Sequence, residues 1–148
     1  MEPAPKHWVA GLVRRWHNNP DLSHYTDHTA AHSGRMVVMA VRIGWNDILA
    51  AIITYDAGEI DCGDMPYPVK KANPELASEL SDLELGSRFY MGIFVHTTKD
   101  QERRIKFLDK LDAYYFAMHY SPHLKDTVEW SDHENWLEIE ADSLGVII

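Results

Sequence analysis

At 148 residues, 45% hydrophobic and 25% charged, the chain has room for one packed domain, and its composition excludes disorder over most of its length. A single cysteine, Cys62, excludes an internal disulfide and a thiolate metal cluster, so a bound metal must be held by His, Asp, Glu or water. A formal net charge of −9 with no large cluster of Lys and Arg argues against a face for duplex nucleic acid. It leaves room for a small anionic substrate only where a few cations converge.

The opening Met-Glu-Pro-Ala-Pro-Lys lacks the basic-then-apolar order of a secretion signal, and no apolar run approaches the roughly 20 residues of a membrane span. A soluble cytoplasmic protein is expected. Met36, Val37, Met39, Ala40 and Ile43 recur at helical spacing, which predicts an amphipathic helix over residues 29–43, stopped by Gly44. His32, one turn before Met36, falls near its inner face. Asn46 is the expected cap of the next helix. That helix, with Ile48, Leu49, Ala51, Ile52 and Ile53, has the pattern of one buried on most sides. It runs straight into Tyr55-Asp56-Ala57-Gly58-Glu59.

Gly58, Gly63, Pro66 and Pro68 are expected to break regular structure until Asn73-Pro74 opens a helix through about residue 85. A further short helix is expected over residues 87–95. Thr98 with Gln101 forms a capping-box pattern before a long helix to about residue 120, and Ser131 with Glu134 forms another before a C-terminal helix. No useful stretch alternates with period two. The predicted fold class is all-α: one bundle of six or seven helices, with residues 127–148 adding a last helix.

His32, Asp56, Glu59 and Asp109 lie on or beside predicted helices with apolar neighbours. A carboxylate turned toward a core must be paired, protonated or bound to a metal. His32, Asp56 and Asp109 from three helices can collect a cation as bundle sites do. Glu59, three residues beyond Asp56, can stand beside that cation and exchange a proton. Singly, each has an ordinary structural explanation. In Lys-Phe-Leu-Asp-Lys-Leu-Asp the spacing does not decide whether Asp109 or Asp112 is the buried acid.

The run Tyr55-Asp56-Ala57-Gly58-Glu59-Ile60-Asp61-Cys62-Gly63-Asp64-Met65-Pro66-Tyr67-Pro68-Val69-Lys70 resembles the core motif of the HD-domain 5'-nucleotidases. There His-Asp is followed by Ala-Ser-Glu, Gly-Asp and Pro-x-Pro-Val-Lys. Arg15-Trp16, Ala31-His32-Ser33 and Lys106-Phe107-Leu108-Asp109 are similar to further family segments in the same order, so the likeness runs from about Arg14 to Tyr115. The resemblance implies that His32, Asp56 and Asp109 ligate a metal. It implies that Glu59 and Asp64 position or activate water, that Arg15 engages the phosphate edge and that Trp16 stacks on base or sugar. Lys70 and Lys106 would neutralise phosphate.

One departure stands out. The family's histidine before the metal Asp is Tyr55 here, a poor neutral-pH ligand with an unperturbed pKa near 10. Replacement by a Tyr55 phenolate, by water, or by His28 or His96 is open. Losing an imidazole makes the site harder, favouring Mg or Mn, with Co possible.

The expected activity is removal of phosphate from a deoxyribonucleoside 5'-monophosphate. One alternative is triphosphate release from deoxynucleoside triphosphates, as in short bacteriophage-encoded kin. A second is a nucleotide-binding or regulatory protein of weakened catalysis. A third is a helical interaction module, with Trp130, Trp136, Leu137 and Ile139 as its stripe, although docking of that stripe on the chain's own core or on a second copy fits better. Family members commonly self-associate, so a homo-oligomer is expected.

Overall fold

A computed structural model describes residues 3–148. Among these there are seven α-helices and no strand: α1 (Lys6–Val9), α2 (Thr29–Ile43), α3 (Leu49–Tyr55), α4 (Tyr67–Ala72), α5 (Pro74–Tyr90), α6 (Lys99–Tyr120) and α7 (Val128–Leu144). The all-α class read from the periodicity is what the structure has. No helix is long and apolar enough to cross a membrane among the described residues.

The core is built where α2, α3, α6 and α7 meet. Met36 and Ala40 from α2, Ala51 and Ile52 from α3, Ile105, Phe107, Leu108 and Leu111 from α6, and Leu137 and Ala141 from α7 form one buried cluster. Leu22, Ala117, Leu124 and Trp130 form a second, smaller one. Gly44 ends α2 at φ 92°, the left-handed conformation that glycine adopts at little cost, and its N–H closes on Ala40 and Val41.

Several boundaries differ from expectation. Asn46 does not cap α3; it begins a 3-10 turn, Asn46–Ile48, and makes no side-chain cap bond. Nor is α3 buried all round. Ile48, Ala51 and Ile52 face inward at helical spacing while Ile53 is 59% exposed, because a single stripe suffices to pack a short helix. Pro66 and Pro68 do not exclude helix over residues 67–72. Pro68 sits in the first turn of α4, where a missing N–H costs no helical bond.

The break expected near residue 86 is absent, and α5 runs unbroken through Gly86 to Tyr90. A mid-helix glycine costs only about 1 kcal/mol. Here the helix is held by packing on a 3-10 turn, Asp56–Asp61, and by the buried Ser87 hydroxyl donating to Asp61. Thr98 and Gln101 do form a reciprocal capping box on α6. Ser131 and Glu134 do not. Helix α7 starts four residues earlier, after Thr127, and the Ser131 N–H is spent on Thr127 O at 3.0 Å. Glu134 instead accepts from the Tyr114 hydroxyl at 2.5 Å.

The C-terminal stripe docks on the chain's own core. Trp130 and Leu137 are buried and Trp136 packs against the main cluster, leaving Ile139 72% exposed.

Candidate functional site

The N-terminal segment reaches the site through a short antiparallel bridge between Arg14 and His28. Thr29 N–H donates to Val13 O at 3.0 Å, and Arg15 N–H donates to Asp27 O at 3.1 Å. These bonds seat Arg15 beside the start of α2. Trp16 then turns with φ 64°, in the left-handed region where a residue with a Cβ is strained. Its N–H donates to Asp64 Oδ2 at 3.1 Å, which pins the strained turn to the loop after the 3-10 turn.

Three of the expected residues converge. His32 comes from α2, Asp56 from the first position of the 3-10 turn rather than from α3 itself, and Asp109 from α6. His32 Nε2 lies 3.2 Å from Asp56 Oδ2 and 3.1 Å from Asp109 Oδ1. One ligand atom from each residue falls within 4.8 Å of the others. Neither carboxylate is aligned for a hydrogen bond with Nε2, which is buried without a partner. A ring nitrogen facing two carboxylate oxygens, close but unbonded, suits a shared divalent cation, and one nitrogen with two carboxylates suits a hard ion such as Mg or Mn.

The electrostatics agree with that crowding. Burial works against an imidazolium at His32, yet the carboxylates of Asp109, Asp112 and Asp56 outweigh it and push its pKa up to about 11. Asp109 is held below the ordinary carboxylate range; burial opposes ionisation there, but His32 and Arg15 win. Glu59 is 7% exposed and its Oε2 has no hydrogen-bond partner. Burial first, then the charges of Asp56, Asp64 and Glu84, raise its pKa to about 9.

The cluster opens into a cleft of about 940 Å³, whose walls include Arg15, Trp16, Tyr55, Asp56, Glu59, Asp64, Lys70, Lys106 and Asp109. Buried polar atoms without partners concentrate there: Trp16 Nε1, Glu59 Oε2 and Arg88 Nε all belong to lining residues. Seven of the chain's 14 Lys and Arg line it, namely Arg15, Lys70, Arg88, Lys99, Arg103, Lys106 and Lys110. Eight Asp and Glu line the same wall, and Arg15, Lys70 and Arg103 are paired with Asp27, Glu84 and Glu140, which leaves Arg88, Lys99, Lys106 and Lys110 without an ion pair among the described residues.

Individual placements refine the sequence reading. Arg15 is buried among acids, with Nη1 3.1 Å from Asp27 and Nη2 3.8 Å from Asp109. Trp16 stacks on Phe116 at 5.7 Å, with the Arg15 guanidinium 5.2 Å from its ring centre. Lys70 leans on Glu84 at 3.7 Å, and Lys106 has no ion pair among the described residues. Tyr55 lines the cleft beside Asp56, and its phenol is held neutral by burial and by Asp109, Asp56 and Glu84. His28 and His96 lie outside both the cluster and the cleft wall.

The ambiguity between the two acids of α6 resolves by geometry. Asp109 faces the cleft, whereas Asp112 accepts from His32 Nδ1 at 2.7 Å, on the opposite edge of the ring. Three participants went unread in the sequence. Arg35 and Asp27 carry the ion pairs behind His32, and Lys110 lies 4.7 Å from the Tyr67 ring centre and 5.2 Å from that of Trp136. Arg35, three residues after His32, shares its helix face, but that spacing alone does not tell a solvated arginine from a paired one. Comparison with protein-family models, with curated proteins and with solved structures finds no match to this chain.

Proposed function

We propose that this chain is a divalent-metal-dependent nucleotide phosphohydrolase that releases phosphate from a deoxyribonucleoside 5'-monophosphate. The observation that carries the reading is the convergence of His32 Nε2, Asp56 and Asp109 at a cleft lined by partly unpaired cations. The resemblance of residues 55–70 to the HD-domain 5'-nucleotidases supports it.

His32, Asp56 and Asp109 would hold the cation. When bound, it supplies Lewis-acid polarisation of the phosphate and of the attacking water. In the reaction a water oxygen bonds to phosphorus and loses a proton, the bond from phosphorus to the 5'-oxygen breaks, and the leaving oxygen takes up a proton from an acid that the water's proton then restores. Glu59 is the group suited to give that proton. Burial, the first cause of its raised pKa and one that a cation on Asp56 leaves in place, favours its protonated form. Asp64 holds the Trp16 turn, and through it the Arg15 backbone, against the cleft. Lys70 and Lys106 offset phosphate charge, and Trp16, already braced on Phe116, offers its remaining surface to the nucleoside.

Hydrolysis of a deoxynucleoside triphosphate is the second reading. Lys99, Lys106 and Lys110 follow one face of α6 along the cleft, over about 16 Å of helix at 1.5 Å per residue, while Arg103 between them is held by Glu140. A chain of phosphates fits such a row better than one phosphate does. Purified protein with Mn, Mg or Co, given a panel of deoxynucleoside mono- and triphosphates, tests both: phosphate release supports the first and triphosphate release the second. Asp56→Asn is expected to lower turnover at least 100-fold. Nucleotide binding without turnover under every metal would leave a nucleotide-binding protein, and equal turnover by parent and Asp56→Asn would end the enzymatic reading.

A further inference from the structure

We propose that Asp112, clamped by Arg35 and through it by Asp27, is the positioning residue that fixes the His32 ring with Nε2 toward Asp56 and Asp109. The inference rests on the reading above that these three residues hold a cation.

An imidazole can ligate through Nε2 only if its proton sits on Nδ1, and a second partner usually decides that. Asp112 is 2% exposed and accepts from His32 Nδ1 at 2.7 Å. As an ionised carboxylate it has no proton to give, so it forces the Nδ1–H form. It cannot swing away. Arg35 Nε donates to its Oδ1 at 2.6 Å and Arg35 Nη2 to its Oδ2 at 2.9 Å, a two-pronged grip that sets the plane of the carboxylate.

Arg35 is itself gripped from the other side. Its Nη1 and Nη2 reach Asp27 Oδ1 and Oδ2, both at 3.0 Å, and Asp27 also accepts from Arg15 Nη1 at 3.1 Å. The chain Asp27–Arg35–Asp112–His32 thus ties the segment before α2, α2 itself and α6 to one ring orientation. An ion pair serving stability alone would have no need to end on the far nitrogen of a ring whose near nitrogen faces two further carboxylates.

The test uses the full chain with Mn2+ as the probe. Asp112→Asn is expected to weaken Mn2+ binding about 10- to 100-fold, and Arg35→Gln by less, with helical content unchanged by circular dichroism. Imidazole 15N–1H spectra of the parent are expected to show the His32 Nδ1 proton far downfield, and Asp112→Asn moves it upfield. A folded Asp112→Asn that binds Mn2+ as tightly as the parent, or a His32 signal it leaves in place, overturns the proposal. If Asp112→Asn does not fold, Arg35→Gln carries the comparison, and parent-like Mn2+ affinity there overturns it equally. If the parent itself binds no Mn2+, the metal reading fails, while the His32 spectrum still decides whether Asp112 holds the ring.

Discussion

With a phenol at position 55, the cluster offers one imidazole and two carboxylates, and Tyr55 stays neutral beside them. Tyr55 ends α3 immediately before Asp56 and lines the cleft, and on the proposed metal reading an imidazole there adds a fourth ligand. Tyr55→His is therefore expected to tighten Mn2+ or Co2+ binding by about 10-fold or more, the scale on which single partners act in metal sites. Calorimetric titration of parent and variant measures it. Equal affinities would mean that a side chain at 55 does not reach the cation. His32, Asp56 and Glu59 were legible because each interrupts an apolar helical pattern where a charge needs a reason. Arg35 and Asp27 were not, since an arginine on an amphipathic helix reads as solvated until Asp112, 77 residues away, is known to lie against it.

The 3-10 turn Asp56–Asp61 is the element on which the site depends. A 3-10 helix has three residues per turn, so Asp56 and Glu59 stack on one side, closer in register than an α-helix would bring them. The turn lies so close to α5 that a Cβ on Gly58 would run into the backbone of Glu84. Backbone cannot step aside as a side chain can. Gly58→Ala is expected to destabilise the fold by about 1–3 kcal/mol, the usual cost of overpacking, and to loosen metal binding as Asp56 and Glu59 shift. Urea unfolding and a Mn2+ titration check the two effects, and a variant of parent-like stability would show that α5 does not seat the turn. The close approach also explains what the sequence hid. Glycine at 58 and at 86 reads as a helix breaker, but the first is there for contact and the second is carried along by a helix whose packing outweighs its local preference. Gly44 was legible because its role is local, a left-handed stop that needs no distant partner.

For the molecule as a whole, a buried imidazole and a buried carboxyl that both hold protons too tightly link folding to pH. His32 is raised from 6.5 to about 11, and Glu59 from 4.5 to about 9. Between about pH 6.5 and 9 the folded chain keeps both protons while the unfolded chain has released them. Stability without metal must then fall as pH rises, by about 1.4 kcal/mol per pH unit for each proton. Asp109 and Asp112 act the other way only in acid, below the ordinary carboxylate range, because their folded values are depressed. A cation on His32 takes the place of the Nε2 proton, so its affinity rises with pH and its stabilisation grows where the protons' contribution is lost. Melting temperatures in chelator are expected to fall steadily from pH 6.5 to 9, and saturating Mn2+ to flatten or reverse that fall. Glu59→Gln, which keeps the shape and removes one titrating group, is expected to halve the slope in chelator. Melting curves that ignore both pH and Mn2+ would mean that His32 and Glu59 are not held as the geometry has them.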